Sequence, residues 1–184
     1  MNRCKIMNNK LLKEIYNEDS LKLEDISIFE TRVKIFIVRN NEILVACSGG
    51  GCQLPGGHVE PNEDIEDAII REVAEETGMV LDKHEIINNF YEIQYFDKNY
   101  KNSGRNRLSK VSYFTVRTDK VPNLKRTNLT EREKKNNFTL KSVEINKFTD
   151  FVDQFLKPNQ KEINVVIAKE ILKVYPHFLE ANKN

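Results

Sequence analysis

The sequence predicts an α/β fold, an α/β/α sandwich in which a mixed β-sheet lies between helices. Paired strand signals flank segments of helical period, so helices and strands interleave along the chain instead of forming separate blocks. At 184 residues the chain fits one domain, or one domain with extensions. Charged residues reach 31%, above the usual ~25%, yet Ile, Leu, Val and Phe recur often enough to build a core.

The elements follow in order. Residues 9–16 carry Leu11, Leu12, Ile15 and Tyr16 at helical spacing, which predicts a short amphipathic helix. Thr31 to Val38 reads as a strand, with Val33, Ile35 and Ile37 alternating against Lys34, Phe36 and Val38. Asn40-Asn41 supplies a tight turn, and Glu42 to Ala46 is the return strand. Gly49-Gly50-Gly51 and Pro55-Gly56-Gly57 mark a long turn. The acidic segment Asp64 to Thr77 has no Gly or Pro and stops at Gly78, as a helix does. Strands are expected near Ile87–Asp97 and Lys110–Thr118, joined by a basic loop, and another at Phe138–Ile145 after a polar, irregular stretch. A helix burying Phe148, Phe151, Val152 and Phe155 comes next. The last helix is expected to be capped by Asn159, to carry Ile163, Ile167 and Ile171 on one stripe, and to kink or end at Pro176.

Charge sharpens the functional reading. The net charge is only +1, and a pI near 7.7 falls short of a nucleic-acid footprint. From Glu60 to Glu76, however, eight acids face one base, Arg71, whereas Lys98 to Lys110 holds five bases and no acid. An acidic cluster apart from a basic loop suggests a divalent cation with an anionic substrate. No apolar run approaches the ~18 residues of a membrane span and no signal peptide is visible, so a cytoplasmic chain without membrane partners is expected. Cys4, Cys47 and Cys52 are odd in number and lack a CxxC pair, which points to reduced thiols; Cys47, Cys52 and His58 make a poor zinc set.

On a helix starting at Ile65, with about 100° per residue, Ala68, Ile69 and Val73 define the inward arc, and Glu72, Glu75 and Glu76 fall on that arc instead of opposite it. Three carboxylates turned toward the protein body need a counter-charge greater than Arg71 provides. Mg²⁺, which takes a few carboxylates plus substrate phosphates and water, meets that need. Arg71 can fork onto a neighbouring carboxylate and orient it.

Gly57, Glu63, Arg71-Glu72-Val73, Glu75-Glu76 and Gly78-Met79 match the Nudix box, G-x5-E-x7-R-E-U-x-E-E-x-G-U with U bulky and apolar, at every position. The chain thus resembles the Nudix hydrolase family, and the strand order around the box is similar to a Nudix-type sandwich. The resemblance implies a Nudix domain over 28–175, preceded by an extension at 1–27 containing the short helix and followed by a tail at 176–184. It implies Mg²⁺-dependent hydrolysis (Mn²⁺ as a substitute) of the diphosphate linkage in a nucleoside diphosphate joined to another group. Glu72, Glu75 and Glu76 would be metal ligands, with the Gly56 carbonyl completing the set. Arg71 would orient Glu72, Glu63 would support Arg71, and Gly57 would let backbone approach the substrate. Glu72 is one candidate general base; Glu131 and Glu133, in the irregular stretch, are the others.

Arg105 and Arg107 are candidate phosphate contacts, and Tyr91, Tyr95 and Tyr113 candidate base-stacking residues. The chain departs from common family patterns at two places: Cys52-Gln53 stands where an aromatic often precedes Leu54-Pro55-Gly56-Gly57, and Cys47-Ser48 where a basic pair often ends the strand. A small nucleotide such as a nucleoside triphosphate, dinucleoside polyphosphate or ADP-ribose is the leading substrate class. An RNA 5′ pyrophosphohydrolase and a non-catalytic nucleotide sensor are the alternatives, and a homodimer is compatible with the sequence.

Overall fold

The computed structural model describes residues 11–183, apart from the side chains of Arg132 and Glu133. Strands β1 (Leu12–Tyr16), β2 (Ile26–Arg39), β3 (Glu42–Ser48) and β4 (Gly51–Gln53) precede helix α1 (Ile65–Thr77). Then come β5 (Ile86–Asp97), β6 (Asn106–Arg117), the short helix α2 (Glu131–Lys135), β7 (Thr139–Glu144), α3 (Phe148–Asp153) and α4 (Glu162–Ala181). The strands form one mixed sheet in the order β1-β5-β6-β2-β3-β4, with β7 paired to β3. The β1–β5 and β2–β6 pairs are parallel, and the other pairs are antiparallel.

Alternation along β2 creates the two layers. Val33, Ile35 and Ile37 face α1 and pack with Ile69, Val73, Phe114 and Val116. Phe36 and Val38 face the other way, into a core shared with Phe148, Val174 and Phe178 of α3 and α4. Phe36 stacks on Phe178 with ring centres 4.5 Å apart. A strand buried on both faces has no polar side, which is why β2 is apolar at nearly every position from 33 to 38. The sandwich is therefore the one the sequence predicts.

Several local expectations are corrected. The expected helix at 9–16 is strand β1 over its described part; residues 9 and 10 lie outside the described residues. Five residues with a Tyr and an Ile gain more from docking on β5 than from a single helical turn, whose nucleation is unfavourable. Tyr16 stacks on Tyr95 at 5.3 Å, and Glu14 accepts hydrogen bonds from the Tyr91 and Tyr16 hydroxyls at 2.8 Å. Strand β4 was not expected, nor was the Cys47–Cys52 disulfide, which replaces the reduced thiols expected at these two positions; Cys4 lies outside the described residues. The Gly49-Gly50 turn, both residues at positive φ, folds β4 back so that Cys47 lies directly opposite Cys52. Strand β6 begins at Asn106, four residues before the expected start at Lys110, so Arg107 is a strand residue.

The last helix takes Lys161 as its N-cap residue, not Asn159. Its buried stripe is Ala168, Ile171, Val174, Tyr175 and Phe178, while Ile163 is exposed. The helix also runs through Pro176 to Ala181, so most of the expected 176–184 tail is helix. Packing of Phe178 beneath Phe36 offsets the hydrogen bond that proline cannot donate.

Candidate active site

The site begins where β3 leaves β2. Over residues 31–35, the partner of β2 is the loop after β4: Val33 N donates to Gly57 O (2.9 Å), Ile35 N to Pro55 O (3.0 Å), and Val59 N to Thr31 O (2.9 Å). The loop is pressed so closely onto β2 that a Cβ at Gly56 would lie 2.2 Å from Val33 O, and Gly56 has φ +130°. A Cβ at Gly57 would lie 2.4 Å from Glu72 Oε1, which puts that carboxylate directly against the loop. At Gly56 only glycine fits, whereas at Gly57 a side chain would displace the Glu72 carboxylate.

Helix α1 delivers the acids. Asp64 precedes it in extended conformation and Gly78 ends it in the left-handed region, its N–H bonded to Ala74 O. The irregular stretch after β6 closes the helix end as well: Asn128 N donates to Glu75 O and Asn123 N to Thr77 O, both at 2.8 Å, satisfying carbonyls a helix end leaves open. Glu72 and Glu76 are buried, with relative exposures of 9% and 6%, and Glu75 is half-buried. A solvated charge run would have left all three exposed.

Arg71 organises this end. Its Nε and Nη2 fork onto Glu63 at 2.7 and 2.8 Å, Nη2 also donates to His58 O at 2.8 Å, and Nη1 donates to Glu72 Oε1 at 2.9 Å. Glu75 Oε2 lies 3.6 Å from Nη1. The fork to Arg71 holds the Glu63 carboxyl below the usual carboxylate range, and these glutamates in turn raise Arg71. Burial pushes Glu72 upward, against the pull of Arg71, leaving a carboxylate more basic than an exposed one.

The structure thus brings Gly56, Gly57, Glu63, Arg71, Glu72, Glu75 and Glu76 together. Among the described residues no three His, Cys, Asp or Glu side chains converge on a single point, since Glu72 is turned toward Arg71. The donor set nevertheless fits a hard divalent cation: buried carboxylates on successive turns of one helix, beside a glycine loop that lies directly against Glu72.

Other candidates lie elsewhere. Arg107 is held by Asp97 (2.6 Å) and Glu30 (2.8 Å), with its guanidinium 3.7 Å from the Tyr100 ring centre. It reaches the edge of the site only through Glu30, which lies 3.9 Å from His58. Arg105 is exposed and donates to Ser27 O. Glu131 is exposed on α2 and paired with Lys134, three residues past the Asn128 anchor. The side chain of Glu133 lies outside the described residues. Tyr91, Tyr95 and Tyr113 share one sheet face, and the hydroxyls of Tyr95 and Tyr113 both donate to Glu170 of α4. Beside them a cavity of about 280 Å³ is lined by Tyr16, Ile93, Tyr95, Val166, Glu170 and Lys173 among others. A larger hollow of about 570 Å³, between β7 and α3, contains none of the acidic-site residues.

Sequence reasoning passed over Arg32 and Lys34, which stand on β2 beside the glycine loop. Lys34 Nζ donates to Leu54 O (3.2 Å) and Gln53 Oε1 (3.4 Å). Their signal was two cations at alternate positions at the edge of an apolar strand, which reads equally well as sheet surface.

The NUDIX domain family model matches residues 29–167. The chain belongs to the Nudix family. Membership places it among the pyrophosphohydrolases, a family that uses divalent metal cations. Solved structures with the same fold include the E. coli ORF135 protein (18% identity, TM-score 0.52, covering 83% of this chain and 94% of that one). A MutT protein from Methanosarcina mazei Go1 (16%, 0.51, 85% and 98%) and a Nudix hydrolase from Nitrosomonas europaea (17%, 0.50, 84% and 90%) are also similar. At these identities the likeness concerns the Nudix fold. No helix among the described residues is long and apolar enough to cross a membrane.

Proposed function

We propose that this Nudix chain hydrolyses the diphosphate linkage of a nucleoside diphosphate joined to another group, using Mg²⁺, with Mn²⁺ as a substitute. The observation that carries this reading is the Glu63–Arg71–Glu72 relay pressed against Gly57, with Glu76 buried one turn further along the same helix. Glu72, Glu75, Glu76 and the Gly56 carbonyl would hold the cation. When bound, it supplies neutralising charge for the diphosphate and a lower pKa for the attacking water. Arg71 fixes the rotamer of Glu72, and Glu63 fixes Arg71. Glu72, made more basic by burial, is suited to take the proton of the water, and Glu131 is the second candidate for that role. The substrate class is a small nucleotide.

A panel of nucleoside triphosphates, dinucleoside polyphosphates and ADP-ribose, assayed with Mg²⁺ or Mn²⁺ and scored by phosphate product, tests the reading. Glu72→Gln and Glu76→Gln are each expected to lower kcat at least about 100-fold with unchanged circular dichroism, and EDTA is expected to abolish turnover until metal is returned. A folded variant with near-wild-type turnover rejects the assignment.

A further inference from the structure

Residues 30, 32 and 34 of β2 lie on the sheet face that continues into Phe36 and the α4 core. Arg32 stands opposite Val111 of β6, and Lys34 opposite Tyr113. Both cations are half-buried. Arg32 Nε is buried and makes no hydrogen bond among the described residues, while Lys34 makes long hydrogen bonds to two neutral oxygens and feels the charges of Glu76, Glu170 and Glu72. Two like charges two residues apart on one strand face repel each other, and a buried donor left unmet is costly.

Two carboxylates of this face are already engaged. Glu30 accepts from Arg107, and Glu170 from the hydroxyls of Tyr95 and Tyr113. The backbone that holds Lys34, at Leu54, runs straight into Pro55-Gly56-Gly57, so the two cations border the acidic site on its sheet side. Strand β3, by contrast, ends in Cys47-Ser48 and offers no base there.

We propose that Arg32 and Lys34 form the phosphate-binding pair of this site. Arg32 forks onto the oxygens of the substrate diphosphate and Lys34 meets the same group as a point charge. The identity of the anion rests on the hydrolase reading; the anion site itself does not. Inorganic pyrophosphate is the probe, titrated calorimetrically into the intact chain without added metal. Arg32→Gln and Lys34→Gln are each expected to weaken its binding by about tenfold or more. With whichever compound the panel identifies, KM should rise more than kcat falls, and Arg32→Lys should recover part of the loss.

Unaltered pyrophosphate binding in both folded glutamine variants overturns the proposal, whatever the wild type hydrolyses. Lost binding supports it even where no diphosphate compound is turned over, the result that would reject the hydrolase reading instead. Should the glutamine variants fail to fold, phenylglyoxal labelling of Arg32 in the wild type, mapped by mass spectrometry, replaces them. Pyrophosphate is expected to slow labelling several-fold, and no slowing overturns the proposal.

Discussion

The Arg71 guanidinium donates to two glutamates and one carbonyl, and this single side chain converts a repulsive row of acids into an ordered site. Gly56 and Gly57 complete it by different physics, and their alanine variants separate the two. At Gly56 an added methyl meets the Val33 backbone and must hold φ +130°, so Gly56→Ala is expected to cost on the order of 3 kcal/mol, read as a lower denaturation midpoint. At Gly57 the methyl meets only the end of the Glu72 side chain, which can swing away. Gly57→Ala is therefore expected to keep most of the stability and lose most of the turnover. Equal stability losses in the two variants would contradict this division.

Among the elements, β1 shows how a few polar contacts can attach a strand. Glu14 gathers the hydroxyls of Tyr16 and Tyr91 and the ammonium of Lys173 on α4. Glu14→Ala leaves these donors without their acceptor; a loss of about 1–2 kcal/mol and faster proteolytic cleavage near Lys13 are expected, and an unchanged cleavage rate would show that β1 docks by other means. This strand also shows the limit of sequence reading. Leu11, Leu12, Ile15 and Tyr16 satisfy helical spacing, and the deciding factor, Glu14 meeting residues 77 and 159 positions away, leaves no local trace. The acidic helix was legible because Gly78 marks its end and the angular positions of Glu72 and Glu76 depend only on helix geometry. Strand β4 and the Cys47–Cys52 pair were not, since three residues after two glycines carry no alternation to read. Arg107 looked available in a loop; β6 starts early and gives it to Asp97 and Glu30.

For the molecule as a whole, acid sensitivity has an identifiable contributor. Burial opposes ionisation of Glu85, but the Asp82 N–H, Lys120 and Thr118 outweigh it and hold its carboxyl at about 2. The folded value lies below the unfolded one, so Glu85 stabilises the chain above an ordinary value of about 4.3, and the benefit is lost as pH falls through about 2. Melting curves from pH 7 to 2 should therefore show wild type and Glu85→Gln converging on acidification from a gap of about 2 kcal/mol; a constant gap would exclude Glu85 as a source. The outer border of the sheet has a further consequence. Among the described residues it ends in β1, five residues long with Lys13 and Glu14 at its middle, a short and charged rim on which a stray strand finds little to template against. The chain should accordingly resist fibrillar self-association on that side even when concentrated.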